Sequence, residues 1–583
     1  MKSKIQSTIE RLRPIVWPQV STTASYHAAT IASLAVLALL RIIEVMANRA
    51  VYDRVLSYDS LTSLGALTLI VLLVALIDHQ LRRLKARMDD ASGEHEERTL
   101  FASLMRRIVR GRVDTVLAPH AILQVPGQVE AARELRSSSV TAIKVEAAQA
   151  AIMLALLAYV GGWLVLVPVI VGAALFALVN RIRKAITATN NDLAASTGQR
   201  MRLLNEIADG QVDIKAFRAE ETMLGRMKTA VDAAARSAAE MRWLSISAIV
   251  TNRSLVRLAS WTTLALGATL AITTHSVTIG ELVVASIICG RALEPILSIS
   301  GSLIKIARAQ AAQEALAKFD DITVEDEAAG LLHLPEQIDG SIEIQDVSYS
   351  YPGALVPSVK GVSLSIQRGE VIALIGDSGS GKTTLLKLLN KTLEPSSGLI
   401  TVDDVATAHL QAASIRRHMV LAPQDPVLFS GSIADNIRLG SDASDNQLVQ
   451  AAALSGTASW IKRKADGYGT QVVNGGRNLS GGERQSVGLA RLYCADPTVA
   501  LLDEPVAHMD PGMRAQWMQG MRQWLRGRTA IIATHQLELL QLCSRVVVMQ
   551  GGQIIHDLPI QEFIRRLQAQ QQPAQAPVAQ AAE

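Results

Sequence analysis

Val371-Ile372-Ala373-Leu374-Ile375-Gly376-Asp377-Ser378-Gly379-Ser380-Gly381-Lys382-Thr383-Thr384-Leu385 decides the fold of the second half of the chain. Its first five residues are apolar and rich in β-branched side chains, which reads as a short buried strand, and a helix-forming run begins at Leu385. Between them lies G-x-x-x-x-G-K-T, the phosphate loop, in the strand–loop–helix setting it requires. The glycines let backbone N–H groups wrap phosphate oxygens at a helix N-terminus, where the helix dipole favours an anion. Gly376, Asp377, Ser378, Gly379, Ser380, Gly381 and Thr384 form the expected cradle. Lys382 is placed to reach the β- and γ-phosphates, and the Thr383 hydroxyl to ligate Mg²⁺. A chance match accounts for such a loop in isolation, but not for one set between such a strand and such a helix.

Further along, Val499-Ala500-Leu501-Leu502-Asp503-Glu504 is an apolar strand ending in two carboxylates. Alone, an Asp-Glu pair at a strand end reads as a solvated turn. After a phosphate loop it reads as catalytic, with Asp503 holding Mg²⁺ through water and Glu504 as the general base for an attacking water.

Leu479-Ser480-Gly481-Gly482-Glu483, with Arg484-Gln485 following, resembles the signature of ABC ATPases. Other elements of that family stand in order. Tyr351, in Tyr349-Ser350-Tyr351-Pro352, resembles the aromatic that stacks on adenine. Gln424, in Ala422-Pro423-Gln424-Asp425-Pro426, resembles the glutamine that senses Mg²⁺ and contacts the membrane domain. Asp510 resembles the D-loop aspartate, and His535, in Ala533-Thr534-His535, the switch histidine that contacts the γ-phosphate. The resemblance implies ATP and Mg²⁺ as cofactors. It implies Glu504, His535 and Lys382 as catalytic residues, and Thr383, Gln424 and Asp503 at the metal. Ser480, Gly481, Gly482 and Asp510 join the nucleotide site from the signature side. In this family the signature of one protomer closes on the phosphate loop of another, so the expected partner is a second copy, with a heterodimer as the other arrangement. The sequence departs from the pattern at Glu483, where glutamine is common, at Ser486, where a basic residue often follows, and at His508-Met509 in the D-loop. None of these removes a group that touches phosphate or metal.

Before residue 300 the composition is different. The chain has 583 residues, 49% of them hydrophobic, and its mean hydropathy is +0.24. At that length at least two domains are expected. Six apolar stretches, at about 28–47, 61–77, 145–161, 163–181, 245–272 and 279–300, approach the roughly twenty residues that span a bilayer as a helix. Gly161-Gly162 separates the third from the fourth and reads as a tight hairpin. The polar insertions 78–144 and 181–244 are arginine-rich beside the apolar stretches, which predicts that they and both termini are cytoplasmic. Both read as helical extensions joined by short turns, suited to coupling with an ATPase domain. Residues 3–18 read as an interfacial helix. Arg41 and Glu44, and Arg291 and Glu294, stand three apart within apolar stretches, a spacing that allows a structural ion pair along one helix face, with a place in a substrate path as the other reading; Arg253 and Arg257 also fall at membrane depth. The three cysteines have no metal-ligand spacing and no disulfide is expected.

The expected fold class is therefore an α-helical six-span transmembrane domain plus an α/β P-loop ABC ATPase domain. The expected map is an interfacial segment 1–26, a membrane domain 27–320, a linker 321–340, an ATPase domain 341–566 and a disordered Gln/Ala/Pro-rich tail 567–583. A net charge of +4 gives no footing for nucleic acid. Six apolar stretches exclude a soluble ABC ATPase, and Glu504 with His535 argue against an ATP-gated channel or regulator with degenerate hydrolysis. The layout resembles half-exporters, which implies ATP-driven export across a bacterial inner membrane with the ATPase in the cytoplasm. The sixth stretch, Thr278–Ile296, resembles that of type I protein-secretion exporters, implying a protein or peptide cargo and a membrane-fusion partner. A lipid or small-molecule flippase is the alternative.

Overall fold

A computed structural model describes residues 23–55, 61–115, 119–134, 140–274, 278–325 and 331–571. The expected interfacial helix at 3–18 lies outside them. The chain divides into two compact units, one of residues 1–109 and 117–322, the other of 110–116 and 323–583.

The first unit is helical: α1 (Thr23–Ala50), α2 (Leu61–Arg110), α3 (Pro119–Glu134), α4 (Val140–Gly161), α5 (Leu166–Asp209), α6 (Gln211–Ala216), α7 (Glu220–Thr274) and α8 (Ile279–Ala317). Each of the six apolar stretches falls in one of α1, α2, α4, α5, α7 and α8. Among the described residues, Leu61–Arg87, Glu146–Asp209 and Glu220–Thr273 are long and apolar enough to cross a membrane, the second containing both the third and fourth stretches. With 50 residues α2 is about 75 Å long, far more than the roughly 30 Å of bilayer hydrocarbon, so the first part of the first polar insertion, to Arg110, simply continues the helix. The second insertion behaves likewise, turning at Gly210, through α6, and again at Phe217-Arg218. The Gly161-Gly162 hairpin is a 3-10 turn, Gly162–Val165, entered with Gly162 at φ +54°, a conformation glycine adopts without a Cβ penalty.

Helix α8 is the hub, packing against α1, α3, α4, α5 and α7. Its Ala285, Ile288, Cys289 and Leu293 are buried against Met153 and Leu157 of α4 and Leu175 of α5. By contrast, Leu69, Leu72, Leu73 and Leu76 of α2 are exposed, the expected exterior for a helix solvated by lipid. A capping box, Thr278 with Glu281, starts α8 by satisfying orphan N–H groups.

The ion pairs that this spacing allows along single helices do not form. Arg291 instead reaches across to α1 and grips Glu44 at 2.9 and 2.7 Å, while Arg41 of α1 lies 3.6 Å from Glu294. Nearer the other end of the pair, Arg49 bonds Glu281. The two-pronged guanidinium–carboxylate fork is among the stronger ion-pair geometries. Arg253 and Arg257 are exposed within the chain.

The second unit holds two larger sheets. Strands β1 (Ile342–Tyr349), β2 (Val359–Ile366), β3 (Val371–Ile375), β4 (Ser397–Val402), β5 (Val405–Ala406), β6 (Met419–Ala422), β7 (Gly431–Ser432), β8 (Gln471–Val472), β9 (Val499–Asp503), β10 (Thr529–Ala533), β11 (Arg545–Gln550) and β12 (Gln553–Pro559) alternate with helices α9 (Lys382–Leu389), α10 (Ala412–His418), α11 (Ile433–Arg438), α12 (Asp445–Leu454), α13 (Thr457–Ile461), α14 (Gly481–Ala495), α15 (Pro511–Trp524) and α16 (Ile560–Gln571). An antiparallel sheet runs β2-β1-β4-β5, and a mainly parallel one β12-β11-β3-β10-β9-β6. Strands β3, β9 and β10 are apolar apart from Asp503 and Thr529 at strand ends, because the parallel sheet is covered on both faces. Leu385, Leu386, Leu388 and Leu389 of α9 are buried against Ile372, Leu374, Leu501 and Ile531, which fixes the helix behind the phosphate loop to both sheets.

Two boundaries differ from the expected map. Residues 567–571, assigned to the tail, complete α16; Ile564 and its neighbours give that helix an apolar side that the Gln-rich composition hides. Residues 323–325, assigned to the linker, are already bonded into the ATPase unit. Val324 bridges Gly111, Arg112 N–H donates to the Thr323 carbonyl at 2.9 Å, and Arg416 clasps Glu325 at 2.6 and 2.8 Å. The loop 110–115, between α2 and α3, thereby belongs to the second unit.

Candidate active site

Parallel register aligns the carboxyl ends of three neighbouring strands: Ala533 of β10 lies opposite Leu374 of β3 and Asp503 of β9. In open α/β sheets ligands bind at such strand ends. Here the ends deliver the phosphate loop, the carboxylate pair and the Thr534-His535 turn to one place.

The loop is built around glycine where sterics demand it. Gly381 caps α9 at φ +101°, and a Cβ there would drive into the Ser358 carbonyl. Lys382 Nζ donates to the carbonyls of Gly376 at 2.7 Å and Asp377 at 3.0 Å, so the ammonium is held over its own loop. Ser380 is buried, while Asp377, Ser378 and Gly379 are exposed. Thr383 Oγ1 donates to Asp503 Oδ2 at 2.8 Å. A hydroxyl and a carboxylate so juxtaposed are hard oxygen donors of the kind Mg²⁺ takes alongside phosphate oxygens. Gln424 stands exposed just past the end of β6.

Burial pushes the Asp503 carboxyl above its ordinary range; the Thr383 hydroxyl opposes that, and the neighbouring Glu504 charge adds to it. Glu504 is 7% exposed and sits at φ +45°, a strained backbone for a residue with a side chain. Its surroundings hold it there. Glu504 N–H donates to the Ala533 carbonyl at 2.9 Å, Gln485 Nε2 donates to the Glu504 carbonyl at 2.8 Å, and Thr534 Oγ1 lies 3.4 Å from Oε2. His535 Nδ1 is 2.9 Å from Glu504 Oε1. A carboxylate aimed by an imidazole, a hydroxyl and two backbone bonds can take a proton from a bound water with little reorganisation.

Tyr349 and Tyr351 are separated by burial. Tyr349 is 3% exposed within β1, whereas Tyr351 is 36% exposed with its hydroxyl 3.3 Å from Thr384 Oγ1. The two rings meet edge to face at 5.0 Å, which leaves a face of Tyr351 for stacking.

The signature forms the start of α14. Ser480 is the N-cap: its Oγ accepts from Glu483 N–H at 3.2 Å, and Glu483 Oε2 accepts from Ser480 N–H at 2.8 Å. As an acceptor there, the Ser480 hydroxyl keeps its own proton to donate. Gly481 and Gly482 open the helix, and a Cβ at Gly482 would lie 2.9 Å from the His508 carbonyl. Asp510 caps α15, accepting from Met513 N–H at 3.0 Å.

Motif context alone assigns no role to Gln485 or Thr534. Gln485 is 2% exposed; besides holding Glu504 it accepts from His508 N–H at 2.8 Å, tying the signature helix to the carboxylate turn and the D-loop. The signal available was a polar side chain on the buried face of an amphipathic helix. Its partner on a distant strand end was not readable.

Comparison with known proteins gives two family matches: residues 359–507 match the ABC transporter family and residues 137–290 the ABC transporter transmembrane region. The chain is 31% identical over 408 residues to an ATP-dependent lipid A-core flippase of Bordetella pertussis, covering 69% of this chain and 64% of the flippase. It is 34% identical over 233 residues to a beta-(1→2)glucan export ATP-binding/permease protein of Rhodopseudomonas palustris, covering 40% of this chain and 38% of that one. The matches thus span between 38% and 64% of the length of these relatives. Among solved structures, a bacterial Atm1-family ABC exporter with ATP bound aligns with a TM-score of 0.82 over 95% of this chain and 100% of its own, at 21% identity. That likeness establishes the fold.

Proposed function

Since the chain belongs to the ABC transporters and joins that family's transmembrane region to its ATPase domain in one membrane polypeptide, we propose that it works as a half-exporter, hydrolysing ATP to move a substrate across a bacterial inner membrane. The observation that carries this reading is the convergence of Lys382, Thr383, Asp503, Glu504 and His535 at adjoining strand ends. Lys382 exchanges two backbone carbonyls for β- and γ-phosphate oxygens, Tyr351 stacks on adenine, and the loop N–H groups hold the phosphates. Thr383, Asp503 and Gln424 would hold Mg²⁺, which supplies charge neutralisation between the phosphates. Glu504, aimed by His535, takes a proton from the water that attacks the γ-phosphorus as the bond to ADP breaks. Ser480 and Gly482 receive the γ-phosphate bound by a second copy, so each nucleotide bridges two chains until hydrolysis removes the bridge.

For the cargo we infer a lipid or a glycan, in line with the two relatives described as a lipid A-core flippase and a glucan exporter. A protein or peptide cargo, passed on to a membrane-fusion protein, is the second reading. It is carried by the likeness of Thr278–Ile296 to type I secretion exporters.

The test is Glu504→Gln, assayed for turnover by itself and for closure with a cysteine pair placed near Ser378 and Ser480, both serines being kept. ATP binding should persist while turnover falls about 10²–10⁴-fold, the usual cost of a lost general base. ATP should then drive cross-linking between the cysteine near Ser378 of one copy and the cysteine near Ser480 of the other. Wild-type turnover in this variant would remove Glu504 from its role, and a stall without cross-linking would overturn the two-copy sandwich.

A further inference from the structure

Both departures in the signature have partners in the fold. Glu483 Oε1 lies 3.3 Å from Lys464 Nζ, in the turn after α13. The same ammonium sits 5.6 Å from the centroid of the Trp460 ring. Trp460 Nε1 donates to Ser486 Oγ at 2.9 Å, and Ser486 Oγ donates back to the Glu483 carbonyl at 2.9 Å. Lys464, Trp460, Ser486 and Glu483 thus close a ring behind the first turn of α14. Ser486 is fully buried and uncharged, and the cation that contacts Glu483 is Lys464.

The placement has an electrostatic consequence. Glu483 is the third residue of α14, and its carboxylate faces the helix N-terminus that receives the γ-phosphate in the function proposed above. A carboxylate there competes with the phosphate for the same positive helix end and repels it. Arg484 bonds the carbonyls of Leu479 at 2.7 Å and Gly476 at 3.4 Å, so the cation in ion-pair contact with Glu483 is Lys464. We propose that Lys464 is a positioning residue for ATP-driven closure: it neutralises and anchors Glu483, so that the signature helix still attracts the γ-phosphate carried by the second copy. The proposal rests on the reading that the signature meets that phosphate.

The experiment measures ATP half-saturation of turnover and maximal rate in the full-length protein at low and high salt. Lys464→Met should raise the half-saturating ATP concentration about five- to tenfold at low salt, with the maximal rate held within about twofold; added salt should shrink the rise in part, because Glu483 is partly open to solvent and its repulsion partly screened. Lys464→Arg should restore the wild-type value. So should the double variant Lys464→Met with Glu483→Gln, in which no bare carboxylate remains. Ser480→Ala serves as the control for the underlying reading and should reduce turnover strongly. Unchanged half-saturation in Lys464→Met beside a crippled Ser480→Ala overturns the role of Lys464 and leaves the signature reading standing. A double variant as impaired as the single one also overturns it, since lost packing would then be the cause. Full turnover in Ser480→Ala overturns the signature reading and the proposal together.

Discussion

Asp503 combines two demands that conflict when no nucleotide is bound. It must be ionised to serve a cation, yet it is 5% exposed, with Glu504 beside it. Its folded pKa is raised above the unfolded value, so the folded state binds the proton more tightly than the unfolded chain does. Stability linked to this group is therefore fullest below the unfolded value of about 3.9 and is lost as pH rises through the raised folded value. Asp503→Asn should raise the thermal midpoint of the nucleotide-free protein at pH 7, by about 2–4 °C for each kcal/mol recovered. The gain should shrink as pH falls toward 4, and Mg–ATP-dependent turnover should disappear. Differential scanning calorimetry at both pH values, with an ATPase assay at neutral pH, checks all three. The identities of these residues were legible from motif and strand context. The positive φ of Glu504 and the grip of Gln485 were not, because both depend on chain segments brought together only by the sheet.

Helix length and type were readable wherever apolar periodicity ran uninterrupted, and the long polar continuations of α2, α5 and α7 follow from charged helix formers without an interrupting proline. The pairing of charges was not readable in the same way. Spacing of three residues shows which groups share a face but says nothing of what lies across from it, and α8 sets Arg291 against Glu44 of α1. The stability test must follow that geometry. Glu44→Gln should destabilise by about 1–2 kcal/mol; this is less than the roughly 3–5 kcal/mol for breaking a fully buried pair, because Arg291 and Glu44 are 26% and 31% exposed. The double variant Glu44→Gln, Arg291→Met should recover most of the loss. Neutralising Arg291 together with Glu294 should not, since it strips one member from each of two separate pairs. Thermal unfolding in detergent, read as a double-mutant cycle, separates the outcomes.

At the scale of the molecule, composition marks the change from membrane to ATPase sequence near residue 341, but the second unit gathers in 323–325 and the distant loop 110–115. Glu325→Gln, which loses the two-pronged clasp of Arg416, should lower the ATPase unit's unfolding midpoint by about 2–4 °C, the equivalent of roughly 1 kcal/mol. Heating followed by limited proteolysis measures it. The same joint governs how such proteins can be recombined. A chimaera spliced at 341 would inherit a donor's sheets but keep the recipient's Gly111, Val324 and Glu325, so a foreign bridge would meet a foreign arginine. The smallest heritable ATPase module in this chain is discontinuous in the gene: a swap that carries 110–116 together with 323–571 moves a whole joint, and one that does not moves half of it.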